Sequence, residues 1–182
     1  MRKIVAGLFI SLDGVTESPQ DWNGPFFNDE MGQAVGDAMA SSDTLLLGRR
    51  TFEEFAAFWP TADQSDPFAD FINNTPKVVV SNTLSEVDWQ PTTVIRGDVV
   101  SQIRDLKEQS GKNIGMTGSP TLIRSLVKEG LLDELSLMVH PLVLGSGKRL
   151  FDDVPEQVPL TLVNSQTFKT GVVNLTYGPA ES

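Results

Sequence analysis

Short runs of β-branched and apolar residues alternate with segments of helical apolar spacing through the first 140 residues, and this order constrains the fold more than any other feature. The runs are 3–11 (KIVAGLFIS), 44–47 (TLLL), 77–81 (KVVVS), 93–96 (TVIR) and 113–117 (NIGMT). Between them, Met31, Val35, Ala38 and Met39 recur at helical spacing over 29–41, with Asn28 placed to cap that helix. Thr51-Phe52-Glu53-Glu54 reads as a capping box whose helix stops before Pro60. A short helix fits 67–73, Asp98 caps one through Gln109 that Gly111 stops, and Ser119-Pro120 opens one ending at Gly130. A last apolar strand, 135–144, is followed by a hairpin, 160–168 and 172–177, around Thr170-Gly171. Parallel strands need crossovers and antiparallel ones do not, so the order predicts an α/β fold. Its sheet is mixed and mostly parallel, with helices on both faces and a C-terminal antiparallel hairpin. No repeat or linker divides the chain, and 2–177 reads as one domain.

Composition removes several chemistries. With no cysteine there is no disulfide, thiolate metal site or thiol catalysis, and one histidine, His140, rules out a multi-histidine metal centre. Fourteen Lys and Arg against 24 Asp and Glu give a net charge of −10, which argues against nucleic acid and anionic membranes as partners. Ile4–Ile10 is too short to span a bilayer and leads to no small-residue cleavage site, so a cytoplasmic protein is expected. Gly145-Ser146-Gly147-Lys148 is not a phosphate loop, because Leu142 and Arg149 stand at positions that motif reserves for Gly and Ser/Thr. No GxGxxG or GxSxG is present.

Two strand-to-helix junctions suit an anion. At Leu47-Gly48-Arg49-Arg50-Thr51 a strand ends at glycine and two arginines precede a helix, so backbone N–H groups, the helix dipole and guanidinium forks converge. The alternative is an ordinary turn with two solvated arginines. At Thr117-Gly118-Ser119-Pro120-Thr121-Leu122, Gly118 admits close approach to the backbone and Ser119 is a candidate cap. That segment also reads as a well-made helix start alone. The loop Asp21–Glu30 gathers Trp22, Phe26 and Phe27 beside Asp29 and Glu30, a pairing of flat walls and acids that suits a planar heterocycle. The alternative is core aromatics with acids favouring a helix start.

The order of these motifs resembles the dihydrofolate reductase-like superfamily, and specifically the reductase domain of bacterial bifunctional riboflavin-biosynthesis deaminase-reductases. Gly118-Ser119…Leu122…Leu126…Gly130-Leu131-Leu132-Asp133-Glu134-Leu135 and His140-Pro141…Leu144-Gly145-Ser146-Gly147…Leu150-Phe151 carry the resemblance. It implies an eight-stranded sheet, NADPH as cofactor, and a homodimer to which the strand around 135–143 contributes. Leu47, Gly48, Arg49, Arg50 and Thr51 match the turn that holds cofactor phosphate. Ser81, Asn82 and Arg96 fall where the family lines the adenosine 2′-phosphate and adenine pocket. Thr117, Gly118, Ser119, Thr121 and Leu122 match its pyrophosphate-binding helix start. No deaminase domain is expected.

The expected function is therefore NADPH-dependent reduction of a small planar heterocycle, as in 5-amino-6-(5-phosphoribosylamino)uracil reduction in riboflavin biosynthesis. Asp29 and Glu30 are the candidate catalytic residues; Trp22, Phe26, Phe27 and Phe52 are candidates for the substrate wall. A dihydrofolate reductase and a non-catalytic nucleotide- or flavin-binding protein are the alternatives. No metal is expected.

Overall fold

The computed structural model describes residues 1–152, 154 and 156–180. Eight strands form one sheet: β1 (Ile4–Ser11), β2 (Ser42–Gly48), β3 (Lys77–Val80), β4 (Thr92–Ile95), β5 (Asn113–Thr117), β6 (Glu134–His140), β7 (Leu160–Thr167) and β8 (Val173–Pro179). Their order is β4-β3-β2-β5-β1-β6-β8-β7. The first six are parallel, and β8 runs antiparallel to both β6 and β7. Five helices connect them: α1 (Asp29–Ala40), α2 (Arg49–Phe58), α3 (Pro67–Asn74), α4 (Val99–Glu108) and α5 (Pro120–Lys128). Among the described residues no helix is long and apolar enough to cross a membrane.

Alternation along β1 sorts the core. Ile4, Ala6, Leu8 and Ile10 face one side and pack with Leu46, Ile103 of α4, Ile114 and Ile123 of α5 in the main apolar cluster. On the other side lie smaller clusters. One joins Phe52 of α2, Ile72 of α3, Val79 and Trp89; another joins Met31 of α1 to Met138, Phe168 and Val172. Lys77 is fully buried beside the former, its Nζ donating to the Asn73 and Thr75 carbonyls and lying 4.2 Å from the Trp89 ring. That burial pushes its pKa down to about 8.

Two caps form where their sequence places them: Asn28 accepts from Met31 N and Asp98 from Ser101 N. Two do not. Helix α2 starts at Arg49 with Gly48 as its cap, so Thr51 is already inside the first turn and no capping box forms. Ser119 occupies the cap position of α5 without a side-chain cap bond. The strand expected to contribute to a dimer is internal to the sheet. β6 is hydrogen-bonded to β1 on one side and β8 on the other, so it has no free edge; β4 and β7 are the edge strands, and all eight residues of β7 are exposed.

The contrast between core and edge is measurable. Replacing the fully buried Ile123 by Ala should lower unfolding free energy by about 2–5 kcal/mol. Leu162→Ala on the open edge should cost under about 1 kcal/mol. Urea denaturation followed by circular dichroism reads both.

Candidate active site

β2 and β5 are neighbours in the sheet, so the two candidate anion junctions emerge side by side at its C-terminal edge, where ligands of open α/β sheets bind. They are stapled together. Ser119 Oγ accepts from Gly48 N at 2.9 Å, and Thr51 Oγ1 accepts from Ser119 N at 2.9 Å. Gly118 (φ 65°) and Ser119 (φ 54°) are consecutive left-handed residues. A non-glycine residue there costs about 1–2 kcal/mol, held in place by surrounding contacts. A Cβ on Gly118 would lie 2.9 Å from Thr51 Cγ2, so only glycine fits. With Gly48 N and Ser119 N engaged in the staple, the remaining first-turn donors are those of Arg49–Thr51 on α2 and Thr121–Leu122 on α5. Two helix starts thus aim N–H groups at one patch of solvent.

Arg49 and Arg50 are exposed beside it, paired along α2 with Glu53 at 3.1 Å and Glu54 at 3.9 Å. Exposed pairs of this kind are weak and exchange readily for a phosphate. Beyond β3 and β4 the polar residues shape loops. Ser81 Oγ accepts from Thr83 N and Leu84 N; Asn82 Oδ1 accepts from Gly97 N; Arg96 donates to the Leu84 carbonyl. These contacts fix the loop pair after β3 and β4 at the same sheet edge. The donor set (two helix N-termini, two arginines and a glycine cradle) fits a dinucleotide with an extra phosphate, such as NADPH.

Thr117 joins this edge to a cavity of about 160 Å³ between the sheet, α1 and α3. Its floor is Gly7, Gly115 and Ser136, its walls Phe9, Ala34, Val35, Phe68 and Phe71. A Cβ on Gly7 would meet nothing within 4 Å. Asn174 also borders it, and its buried Oδ1 has no hydrogen-bond partner.

The aromatic loop goes elsewhere. Trp22 and Phe26, with Phe9, surround His140 edge-on at centroid distances of 5.0, 5.6 and 5.8 Å. Phe27 is half exposed and Phe52 belongs to the α2–α3 cluster. None of Trp22, Phe26, Phe27 or Phe52 borders the cavity, and neither does Asp29 or Glu30. Glu30 accepts from Lys169 N at 2.7 Å and from Asn28 Nδ2, bonds that lower its pKa and tie α1 to the β7–β8 turn. The residues that sequence reasoning missed are Gly7, Ser136 and Asn174. A lone glycine inside an otherwise β-branched strand was the available sign for the first.

The RibD C-terminal domain model matches residues 2–174. The chain belongs to the RibD C-terminal domain family. It is 34% identical to the Bacillus subtilis protein YyaP over 97% of this chain and 94% of that one. A structure from Shewanella sp. PV-4, assigned provisionally to riboflavin biosynthesis, is 26% identical, with a TM-score of 0.79 and full coverage of both chains. The bifunctional deaminase and 5-amino-6-(5-phosphoribosylamino)uracil reductase of Thermotoga maritima shares the fold at TM-score 0.70 and 14% identity, with 57% of that chain covered. Dihydrofolate reductase from Enterococcus faecalis shares it at TM-score 0.66 and 15% identity, covering 98% of this chain and 97% of that one.

In this RibD C-terminal domain the segment after His140 is a clamp. Asp13 accepts from Ser11 Oγ, Leu144 N and Gly145 N, which hold its carboxyl well below the usual range. Arg149 Nε donates to the Asp13 carbonyl, Val15 bridges to Arg149, and a Cβ on Gly147 would strike Val15 at 2.7 Å. His140 is fully buried at the base of that clamp. Its Nδ1 donates to the Met138 carbonyl and its Nε2 has no partner. Burial pushes its pKa below 6.5.

The unfolded chain therefore takes up that proton first as pH falls. Stability should be level above about pH 6.5 and decline below it, by up to about 1.4 kcal/mol per pH unit. Urea midpoints between pH 7.5 and 5 should show the decline, and His140→Leu should flatten it.

Proposed function

We propose that the chain is an NADPH-dependent reductase of a small planar ring compound. Family membership supports an oxidoreductase. The observation that carries the finer reading is the pair of stapled helix starts at one sheet edge, flanked by Arg49 and Arg50 and reached from the cavity at Thr117.

NADPH, when bound, supplies a hydride. The chain supplies the rest. First-turn N–H groups of α2 and α5 hold the pyrophosphate, with Gly118 leaving room for it. Arg49 and Arg50 leave Glu53 and Glu54 for the 2′-phosphate. Ser81, Asn82 and Arg96 hold the adenine-side loops. The apolar walls between α1, α3 and the sheet exclude water and fix the ring against Gly7. Among the described residues no Asp or Glu borders the cavity, so the accompanying proton reaches the ring through water at the mouth rather than from Asp29 or Glu30.

Fluorescence titration tests the reading. NADPH should bind well and NADH much more weakly. Arg49→Ala and Arg50→Ala should each weaken NADPH by about 10–100-fold, the value of a charge-assisted bond. Equal losses for NADH, or no binding of either nucleotide, would refute it.

A homodimer belongs to the same proposal, with the unpaired edge of β7 as its seam, since Leu162 and Val163 are 51% and 62% exposed there. Sedimentation equilibrium should give twice 19.8 kDa, and Val163→Lys should return the monomer.

A further inference from the structure

The cavity beside the cofactor edge has a composition that selects its occupant. Every side chain bordering it is apolar, glycine or neutral polar, and no charged residue among those described reaches it. An ion moved from water into such a space gains no partner, so a phosphate, carboxylate or ammonium group is disfavoured inside it. Among the described residues no cation of the surrounding loops borders it. Arg149 is bonded to Asp13, and Lys148 lies 3.9 Å from Glu17 in an exposed, exchangeable pair. Lys112 donates to the Ala40 carbonyl at the C-terminal end of α1 while its own N–H is tied to Asp43.

The neutral polar groups are few and mostly engaged. Ser42 Oγ donates to the Ala38 carbonyl, and Ser136 Oγ bonds Thr176 Oγ1. Of the residues bordering the cavity, Asn174 alone has a buried side-chain atom, Oδ1, without a hydrogen-bond partner among the described residues. Gly7 leaves open space above the sheet where a side chain would otherwise sit. At about 160 Å³ the space matches one or two fused rings, since a dry cavity near 150 Å³ takes up benzene.

We infer that the cavity takes an uncharged, mainly apolar planar ring that donates one N–H or O–H to Asn174, and that a phosphoribosyl-bearing ring is not its ligand. The inference deepens the reductase reading, on which it rests only in making this ring the hydride acceptor. The RibD C-terminal fold is thereby kept while the ligand class changes.

Calorimetric titration of the full chain with ring probes tests this without turnover. Indole (neutral, one N–H) should bind with Kd below about 1 mM. 1-Methylindole should bind about 3–10-fold more weakly, the value of one hydrogen bond, and Asn174→Leu should erase that difference. Indole-3-carboxylate and uridine 5′-monophosphate should bind at least 100-fold more weakly than indole. Gly7→Val places a strand-compatible side chain in the void and should abolish indole binding while NADPH affinity and thermal midpoint stay unchanged. Ala34→Phe, filling from the α1 wall, should do the same should Gly7→Val prove unstable. Indole bound by wild type while NADPH is not would sink the reductase reading and uphold the cavity's ligand class. Uridine 5′-monophosphate or the carboxylate binding as tightly as indole, or indole binding surviving both filling variants, would overturn the inference.

Discussion

The pair of bonds from Gly48 N to Ser119 Oγ and from Ser119 N to Thr51 Oγ1 is the constraint on which the candidate site depends. Two strands adjacent in the sheet end in two helices, and left alone each helix start would find its own cap. Here Ser119 turns its hydroxyl away from its own helix toward Gly48 N, and Thr51 takes up Ser119 N from 68 residues away. Breaking the buried half leaves an N–H without a partner, a cost of about 1–3 kcal/mol. That is enough to hold Ser119 in a left-handed conformation its side chain disfavours. The outcome is that the two helix N-termini are fixed relative to each other before any anion arrives, and preorganisation of that kind is what lets backbone dipoles bind tightly.

The same pair of bonds explains where sequence reading succeeded and where it stopped. Elements set by local rules were legible. The 3–11 run, the helix after Asn28 and the helix after Asp98 appear within a residue or two of their expected bounds. Their periodicity and their caps act over three or four residues. The capping box at Thr51 and the cap at Ser119 were misread because each side chain satisfies a donor on the other junction, and no spacing rule reaches across 68 residues. That both junctions suit an anion was visible, and the family resemblance assigned both to one cofactor; that they lie side by side was not visible from spacing, because it follows from β5 inserting between β2 and β1.

The cavity shows a different limit. Periodicity identifies a strand and its two faces but not which face is filled. On β1, Ile4, Ala6, Leu8 and Ile10 belong to the main apolar cluster, while Val5, Gly7 and Phe9, with part of Leu8, border the cavity. Both faces are apolar in sequence, and only the helix geometry distinguishes them. The aromatic cluster 22–27 drew attention as a pocket wall because aromatics flank planar ligands; in three dimensions Trp22 and Phe26 instead enclose His140.

Phe9 connects these regions. One side of its ring borders the cavity, and its centroid lies 5.8 Å from that of His140, which Trp22 and Phe26 cover from the loop after β1. That loop is anchored at its other end by Asp13 and Val15 on the segment running from Leu144 to Arg149. The wall of the ligand cavity, the single histidine and the family's glycine-rich segment are therefore one packed unit. A histidine held neutral without a partner for Nε2 is tolerable there because its aromatic neighbours present ring edges and exclude the water that would favour its charge. The most recognisable stretch of the chain thus bears on the candidate site through the packing around Phe9, while Arg49 and Arg50 stand at the same C-terminal edge of the parallel strands, directly after β2. The neutral cavity and the arginine-flanked helix start thus share one sheet edge while neither Arg49 nor Arg50 borders the cavity, so charge and apolar space are kept apart.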